Sequence, residues 1–286
     1  MGECFICRRF GSIKKGNSLS YTYSGNYTES KIMDNGVEYT ILTLISAGTL
    51  TVNREIEADV WMCGGGGDGA YGGSSYGGGG GAGAYVASGS VNLSGSMAAI
   101  IASSGGISSF GSLSANAGNN GSDGDIYNEK GGSGGTGGGT GHTRADYCGK
   151  GDGIATQPFL DTVNFPNYHC GGGGGGASQF STNCITGGDG GSNGSDGSKG
   201  TSISGDNLTS VLTITGGSGG LYGGGKGGNA YYANSTTVVS TADNGTDATY
   251  YGSGGGGGAR ANAKTGKGGS GYQGVIYIRW KTEDAA

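Results

Sequence analysis

Gly188-Asp-Gly-Gly191-Ser-Asn-Gly194-Ser-Asp-Gly197-Ser-Lys-Gly200 places a glycine at every third position. The same interval recurs at Gly118, Gly121 and Gly124, at Gly131, Gly134 and Gly137, at Gly216 and Gly219, at Gly225 and Gly228, and at Gly268, Gly271 and Gly274. Three residues make one turn of a polyproline II helix, which rises about 3.1 Å per residue. Glycine at every third position bares one face of such a helix. Neighbours can then approach until their backbone N–H and C=O groups bond each other, with Cα–H···O contacts assisting. Gly-Gly-X bares two faces and can sit inside a lattice, whereas Gly-X-X lines its edge. Fixing each residue costs about 1–2 kcal/mol, glycine most of all, and a net hydrogen bond returns about 0.5–1.5 kcal/mol. A lone segment therefore unravels, and only a packed array anchored on something else stands. Segments of about ten residues would span about 31 Å. Reading them instead as flexible Gly/Ser linkers requires many structureless loops longer than about 15 residues in one domain.

The chain of 286 residues carries 73 glycines, a share that without period would indicate disorder. Charged residues are only 13%, and apolar β-branched stretches such as Ile41–Ile45 and Val275–Trp280 supply a core. Collagen is excluded, because there are two prolines, Pro158 and Pro166, and no long Gly-X-Y array. Leu50–Met62 gives the strongest strand signal, with apolar residues on alternate positions except at Arg54. Val37–Ile45 is bounded by Asn35-Gly36 and Gly48, and Tyr21 and Tyr23 open a polar alternation. Further strands are expected at Ala84–Leu93, Met97–Ala102, Leu208–Ile214, Thr236–Ser240 and Val275–Trp280. Phe159–Val163 is the sole candidate for a turn of helix. The expected fold is all-β, with an inserted polyglycine or polyproline II array and almost no α-helix. Residues 1–20 read as an N-terminal attachment arm and 21–286 as the glycine-rich domain.

A net charge of −5 disfavours nucleic acid and anionic membrane, and no basic stripe is visible. The first ten residues lack the apolar core of a signal peptide, and no stretch approaches the roughly 18 apolar residues of a membrane span. Cytoplasmic synthesis without membrane insertion is the expectation, with any exit by assembly into a particle and lysis.

The series Ala47–Val52, then Ala58-Asp-Val-Trp-Met-Cys-Gly-Gly-Gly-Gly67, then repeated glycine runs closing on Gly271-Tyr-Gln-Gly-Val-Ile-Tyr-Ile-Arg279, resembles glycine-rich tail proteins of bacteriophages. The resemblance covers roughly residues 35–280. It implies a β-sandwich whose first and last strands pair, with polyglycine II helices inserted. Distal adhesins of some long-tail-fibre phages share the device, and so does the extracellular glycine-rich region of the anaplastic lymphoma kinase receptor group. The phage families imply a virion protein at a tail tip or fibre. Its partners would be other tail subunits, further copies of itself, and a host-surface glycan or protein.

Candidate binding residues follow from composition. Tyr71, Tyr76, Tyr222, Tyr231, Tyr232, Tyr250 and Tyr251 cluster at the ends of glycine runs, and Tyr with Ser, Gly and Asn is the composition of adaptable binding loops. The same rings could simply cover bare polyglycine flanks. Residues 142–170 gather Tyr147, Phe159, Phe165 and Tyr168 with both histidines and both prolines. They read either as an exposed ligand-presenting loop or as a satellite core stapled by Cys148 and Cys170. Cys4-x-x-Cys7 could supply half of a zinc site, or be free thiols. Asp123, Asp125, Asp189 and Asp196 lie in glycine-rich turns, but the calcium-binding nonapeptide pattern is not continued after Asp196. His142 and His169 sit in no catalytic motif. Gly220-x4-Gly225-Lys226 has P-loop spacing, with Gly227 where Ser or Thr must hold magnesium. A non-enzymatic chain without a resident cofactor is expected.

Overall fold

The computed structural model describes residues 19–124, 130–141, 148–151, 170–180, 183–192, 195–203, 212–232 and 240–282. Its strands are β1 (Tyr21–Tyr23), β2 (Tyr27–Asp34), β3 (Val37–Leu44), β4 (Gly48–Val52), β5 (Ile56–Cys63), β6 (Val86–Leu93), β7 (Ser96–Ile100), β8 (Ser108–Phe110) and β9 (Leu113–Ala115). There follow β10 (Ser178–Phe180), β11 (Asn183–Thr186), β12 (Thr201–Ile203), β13 (Leu212–Ile214), β14 (Ala230–Tyr232), β15 (Thr241–Ala242), β16 (Arg260–Ala261), β17 (Lys264–Thr265) and β18 (Val275–Lys281). The fold is all-β, and the described residues contain no α-helix. Phe159–Val163, residues 208–211 and residues 236–239 lie outside the described residues.

A β-sandwich anchors the molecule. One sheet runs β1-β4-β7-β8-β9 and the other β2-β3-β18-β5-β6. Leu42, Leu44, Leu50, Val52, Ala58, Val60, Met62, Ile276, Ile278 and Trp280 are buried between them. Alternate residues of β5 and β18 (Trp61, Cys63, Val275 and Tyr277) enter a second cluster on the opposite face, as the two-residue period of a strand requires. The long alternation at Leu50–Met62 proves to be two strands in two sheets. The chain crosses the sandwich between Val52 and Ile56, so the missed beat at Arg54 marks that crossing. Both strands point their apolar residues inward, which carries the alternation through. Asn35-Gly36 forms the two-residue β2–β3 hairpin loop, both residues at positive φ (49° and 81°). The last strand, β18, lies between β3 and β5, whereas β1 pairs with β4 in the facing sheet. Within residues 35–280 the first strand, β3, therefore pairs antiparallel with the last, β18, as the resemblance implies, and β1 and β2 add to the sandwich ahead of it.

Glycine segments leave one end of the sandwich and pack side by side. The run 171–176 shows why they need glycine. Its N–H groups donate in a cycle of three: Gly172 and Gly175 to Gly191 and Gly188, Gly173 and Gly176 to Gly81 and Gly78, Gly174 and Ala177 to Gly225 and Gly228. Its carbonyls accept from three further segments, through the N–H groups of Gly220 and Gly217, of Gly139, and of Gly254 and Gly257. This run is the axis of a hexagonal bundle, with the three-residue period of polyproline II. A Cβ built on Gly171 to Gly176 would meet a neighbouring backbone carbonyl group at 1.9–2.4 Å. All three faces are closed, so glycine must occupy every position.

The runs 77–81 and 254–258 bond directly to that axis and to each other. Edge segments obey the weaker rule. Gly118, Gly121 and Gly124 abut the carbonyls of Ala82, Gly79 and Tyr76, while the residues between them carry side chains. The stretch Gly188–Gly200 holds its period of three across two segments that pack on each other. Gly188 packs on Ser198 and Gly191 on Ser195, and Ser198 donates its N–H to the Asp189 carbonyl. Residues 187–192 and 195–200 are thus two antiparallel edge segments, because a three-residue period fixes which face is bare and says nothing about where the chain reverses.

Candidate functional site

The lattice separates two ends, and the sequence-derived tyrosines fall on both. At the far end the segments run into two small sheets, β12-β11-β10-β16-β17 and β13-β14-β15. Residues 171–177 continue into β10, residues 223–229 into β14 and residues 252–259 into β16. A third core fills this cap: Ala177, Cys184, Ile214, Ala230, Ala259 and Ala261.

Tyr71 stands at this far end and is 55% exposed, its N–H donating to the Asp123 carboxylate (3.1 Å). Tyr76 is half-buried, its N–H held by the Gly124 carbonyl (2.9 Å). Tyr231, on β14, donates its hydroxyl to Asp243 Oδ2 (3.0 Å). Tyr232 pairs through its backbone with Leu212. Beside Tyr231 an open polar groove of about 510 Å³ runs between residues 215–218, 226–229 and 243–246, with Lys226, Asn229, Asp243, Asn244 and Thr246 on its walls. Asn229 and Asn244 spend their amide oxygens on the N–H groups of Gly216 (3.0 Å) and Lys267 (2.8 Å). Thr246 accepts from the Lys226 N–H (2.7 Å). These bonds fix the walls. The groove combines an ammonium, a carboxylate and amides, a donor and acceptor set suited to hydroxyl-rich or charged ligands.

At the sandwich end Tyr222 is 38% exposed beside the more exposed Leu221, and its carbonyl accepts from Ser253 Oγ (2.7 Å). Tyr250 and Tyr251 do different work. Their rings lie 5.3 Å apart, and Tyr251 packs edge-on to Tyr272 at 5.7 Å. Tyr250 shares a hydrogen bond with Tyr277, whose ring sits 5.6 Å from Trp61. Burial pushes the phenols of Tyr250, Tyr251 and Tyr277 upward in pKa. This aromatic row fills the seam between sandwich and lattice. Tyr272, Tyr277 and Trp61 were not among the sequence candidates, although Tyr272 stands inside the Gly268–Gly274 series. Tyr147, Phe159, Phe165, Tyr168, Cys4 and Cys7 lie outside the described residues, as do His142, His169 and Asp125.

The remaining aspartates of the glycine turns act as lattice caps. Asp189 Oδ1 accepts from the Ser218 N–H (2.7 Å), and Asp196 Oδ1 from the Gly151 N–H (2.8 Å). Asp68 and Asp247 do the same for Gly271 (2.8 Å) and Ser270 (2.7 Å). An edge segment lacks a neighbour on one side, and these carboxylates accept the N–H groups that a further chain would otherwise take. Cys170 lies in one cluster with Cys63, and Cys148 is half-exposed near Lys150 and Asp196. Among the described residues no three His, Cys, Asp or Glu side chains come together as metal ligands.

Residues 43–281 match the model of a family described as a glycine-rich domain. The match opens inside β3 and ends on the last residue of β18. No curated protein matches the chain.

Proposed function

The chain belongs to this glycine-rich domain family, and from that premise we propose that it is a display module of a bacteriophage virion, at a tail tip or fibre, that presents its far end to a host-surface glycan or protein. The observation that carries this reading is the polarity of the fold. The N-terminal strands β1 and β2 are built into the sandwich, while the cap, Tyr71 and the polar groove lie across or along the lattice from it. A bundle in which every backbone is bonded to its neighbours is a stiff spacer, and loops on rigid scaffolds are where binding residues concentrate. The reading is non-catalytic.

The competing reading is a building block whose far end packs against further subunits. Binding of the purified chain to an array of bacterial surface glycans separates the two, with Tyr71→Ala and Lys226→Ala/Asp243→Asn as comparators. The proposal expects saturable binding that at least one far-end variant weakens tenfold or more. If nothing is retained, and the chain instead assembles through its cap in solution, display is wrong.

A further inference from the structure

The seam between sandwich and lattice holds two thiols. Cys63 is the last residue of β5, and Cys170 immediately precedes the run 171–176 that forms the axis of the bundle. Both are fully buried, in one cluster with Trp61, Ala84, Val275 and Tyr277. The Cys170 thiol is hydrogen-bonded to Cys63. Both sulfurs border Gly252, standing 2.6 Å (Cys170) and 2.9 Å (Cys63) from where a Cβ on that residue would lie. Gly252 has φ of 70°, so glycine there serves the turn and leaves room for the two sulfurs. Cys170 itself is held at φ of 61°, a left-handed conformation that disfavours a side chain. That backbone accompanies the placement of its sulfur against Cys63, at the start of a segment that otherwise excludes every side chain.

We propose that Cys63 and Cys170 are a cross-linking pair whose disulfide bolts the β-sandwich to the axis of the glycine lattice. The co-reactant is a small soluble disulfide such as oxidised glutathione. The thiolate of one cysteine attacks it, forming a mixed disulfide and releasing one thiolate. The second cysteine, deprotonated, attacks the protein sulfur of that mixed disulfide and expels the second thiolate. Two electrons pass from the cysteine pair to the soluble disulfide, and the two protons end on the released thiols or in solvent. Attack requires the thiolate, and the closed seam disfavours it, so the bond forms as the seam closes during folding. It constrains the unfolded chain across a loop of roughly a hundred residues.

The test refolds the full chain in a glutathione redox buffer and, in parallel, under reducing conditions. Non-reducing peptide mapping by mass spectrometry should find the Cys63–Cys170 linked peptide only in the oxidised sample. Thermal unfolding of that sample should be higher by on the order of 10 °C. The Cys63→Ala variant should show no such redox-dependent difference. The proposal is overturned by absence of the linked peptide from oxidised, folded protein. It is equally overturned if the linked protein melts with the reduced one, or if Cys63→Ala keeps the full redox-dependent rise.

Discussion

Replacing Gly173 by alanine puts a methyl on the axis of the bundle. The added Cβ would lie 1.9 Å from the Gly255 carbonyl oxygen and 2.5 Å from its carbon. Restoring ordinary contact requires the two segments to part by more than 1 Å, roughly. The bonds affected run from Gly173 N–H to the Gly81 carbonyl, from Gly139 N–H to the Gly173 carbonyl, and from Gly81 N–H to the Gly255 carbonyl. Each is 2.8 Å, or 3.0 Å where Gly255 N–H meets the Gly67 carbonyl. An opening of that size takes several of them past the limit of a useful hydrogen bond. Each buried group left unpaired costs about 1–3 kcal/mol, so at about 2 kcal/mol each two or three give about 4–6 kcal/mol. Alanine returns about 0.4–1 kcal/mol by restricting the unfolded chain. A net loss of about 3–5 kcal/mol lowers the melting temperature by roughly 6–20 °C. Gly89 in β6 is the control, since a Cβ there meets only the Leu113 side chain at 3.4 Å, and Gly89→Ala should stay within about 1 kcal/mol of the parent. Thermal unfolding followed by circular dichroism compares the two. If Gly173→Ala melts with Gly89→Ala, closure of the lattice faces is not what demands glycine.

Arg279 offers a second test, in the sandwich: its Nη2 meets Asp59 at 2.8 Å and its guanidinium lies 4.7 Å from the centre of the Tyr39 ring. Arg279→Lys keeps the charge but loses the planar fork, and should cost about 1–2 kcal/mol, whereas removing the exposed Lys31–Glu38 pair (3.1 Å) should cost under about 1 kcal/mol; equal melting temperatures for the two variants would sink the distinction. The Gly151 N–H, and then Lys150, hold the Asp196 carboxyl below its usual pKa. A carboxyl depressed in the folded state stabilises it above the ordinary carboxylate range, a contribution lost as pH falls through the folded value, and kept small here by solvent screening. An NMR titration should place its midpoint under about 3.9, and Lys150→Ala should raise it only partway; a midpoint at or above that value refutes the cap.

The lattice was legible because its rule is local. A face packed against another backbone cannot carry a Cβ, so closed faces appear in the chain as a glycine period, and 171–176, closed on every face, appears as an unbroken run. The strands of the sandwich were legible too, through the two-residue alternation of Leu50–Met62 and the continuous apolar, β-branched run of Val275–Trp280, which is buried on both faces. The candidate site was less so. Tyr71 and Tyr251 both border glycine runs, yet one is exposed and the other fills the seam beside Tyr272, a difference that depends on which elements come to lie next to them. The groove beside Tyr231 draws its walls from three segments distant in sequence, and no interval between them announces it.

From the sequence alone follow the all-β class and the polyproline II period, because each is imposed by sterics within one turn or one strand. The tertiary structure alone decided the order of segments in the bundle, the reversal within Gly188–Gly200, the sheet change at Arg54 and the meeting of Cys63 with Cys170. Those depend on which backbone lies beside which, and bare glycine faces are alike: they state that a neighbour must be close without specifying which neighbour it is.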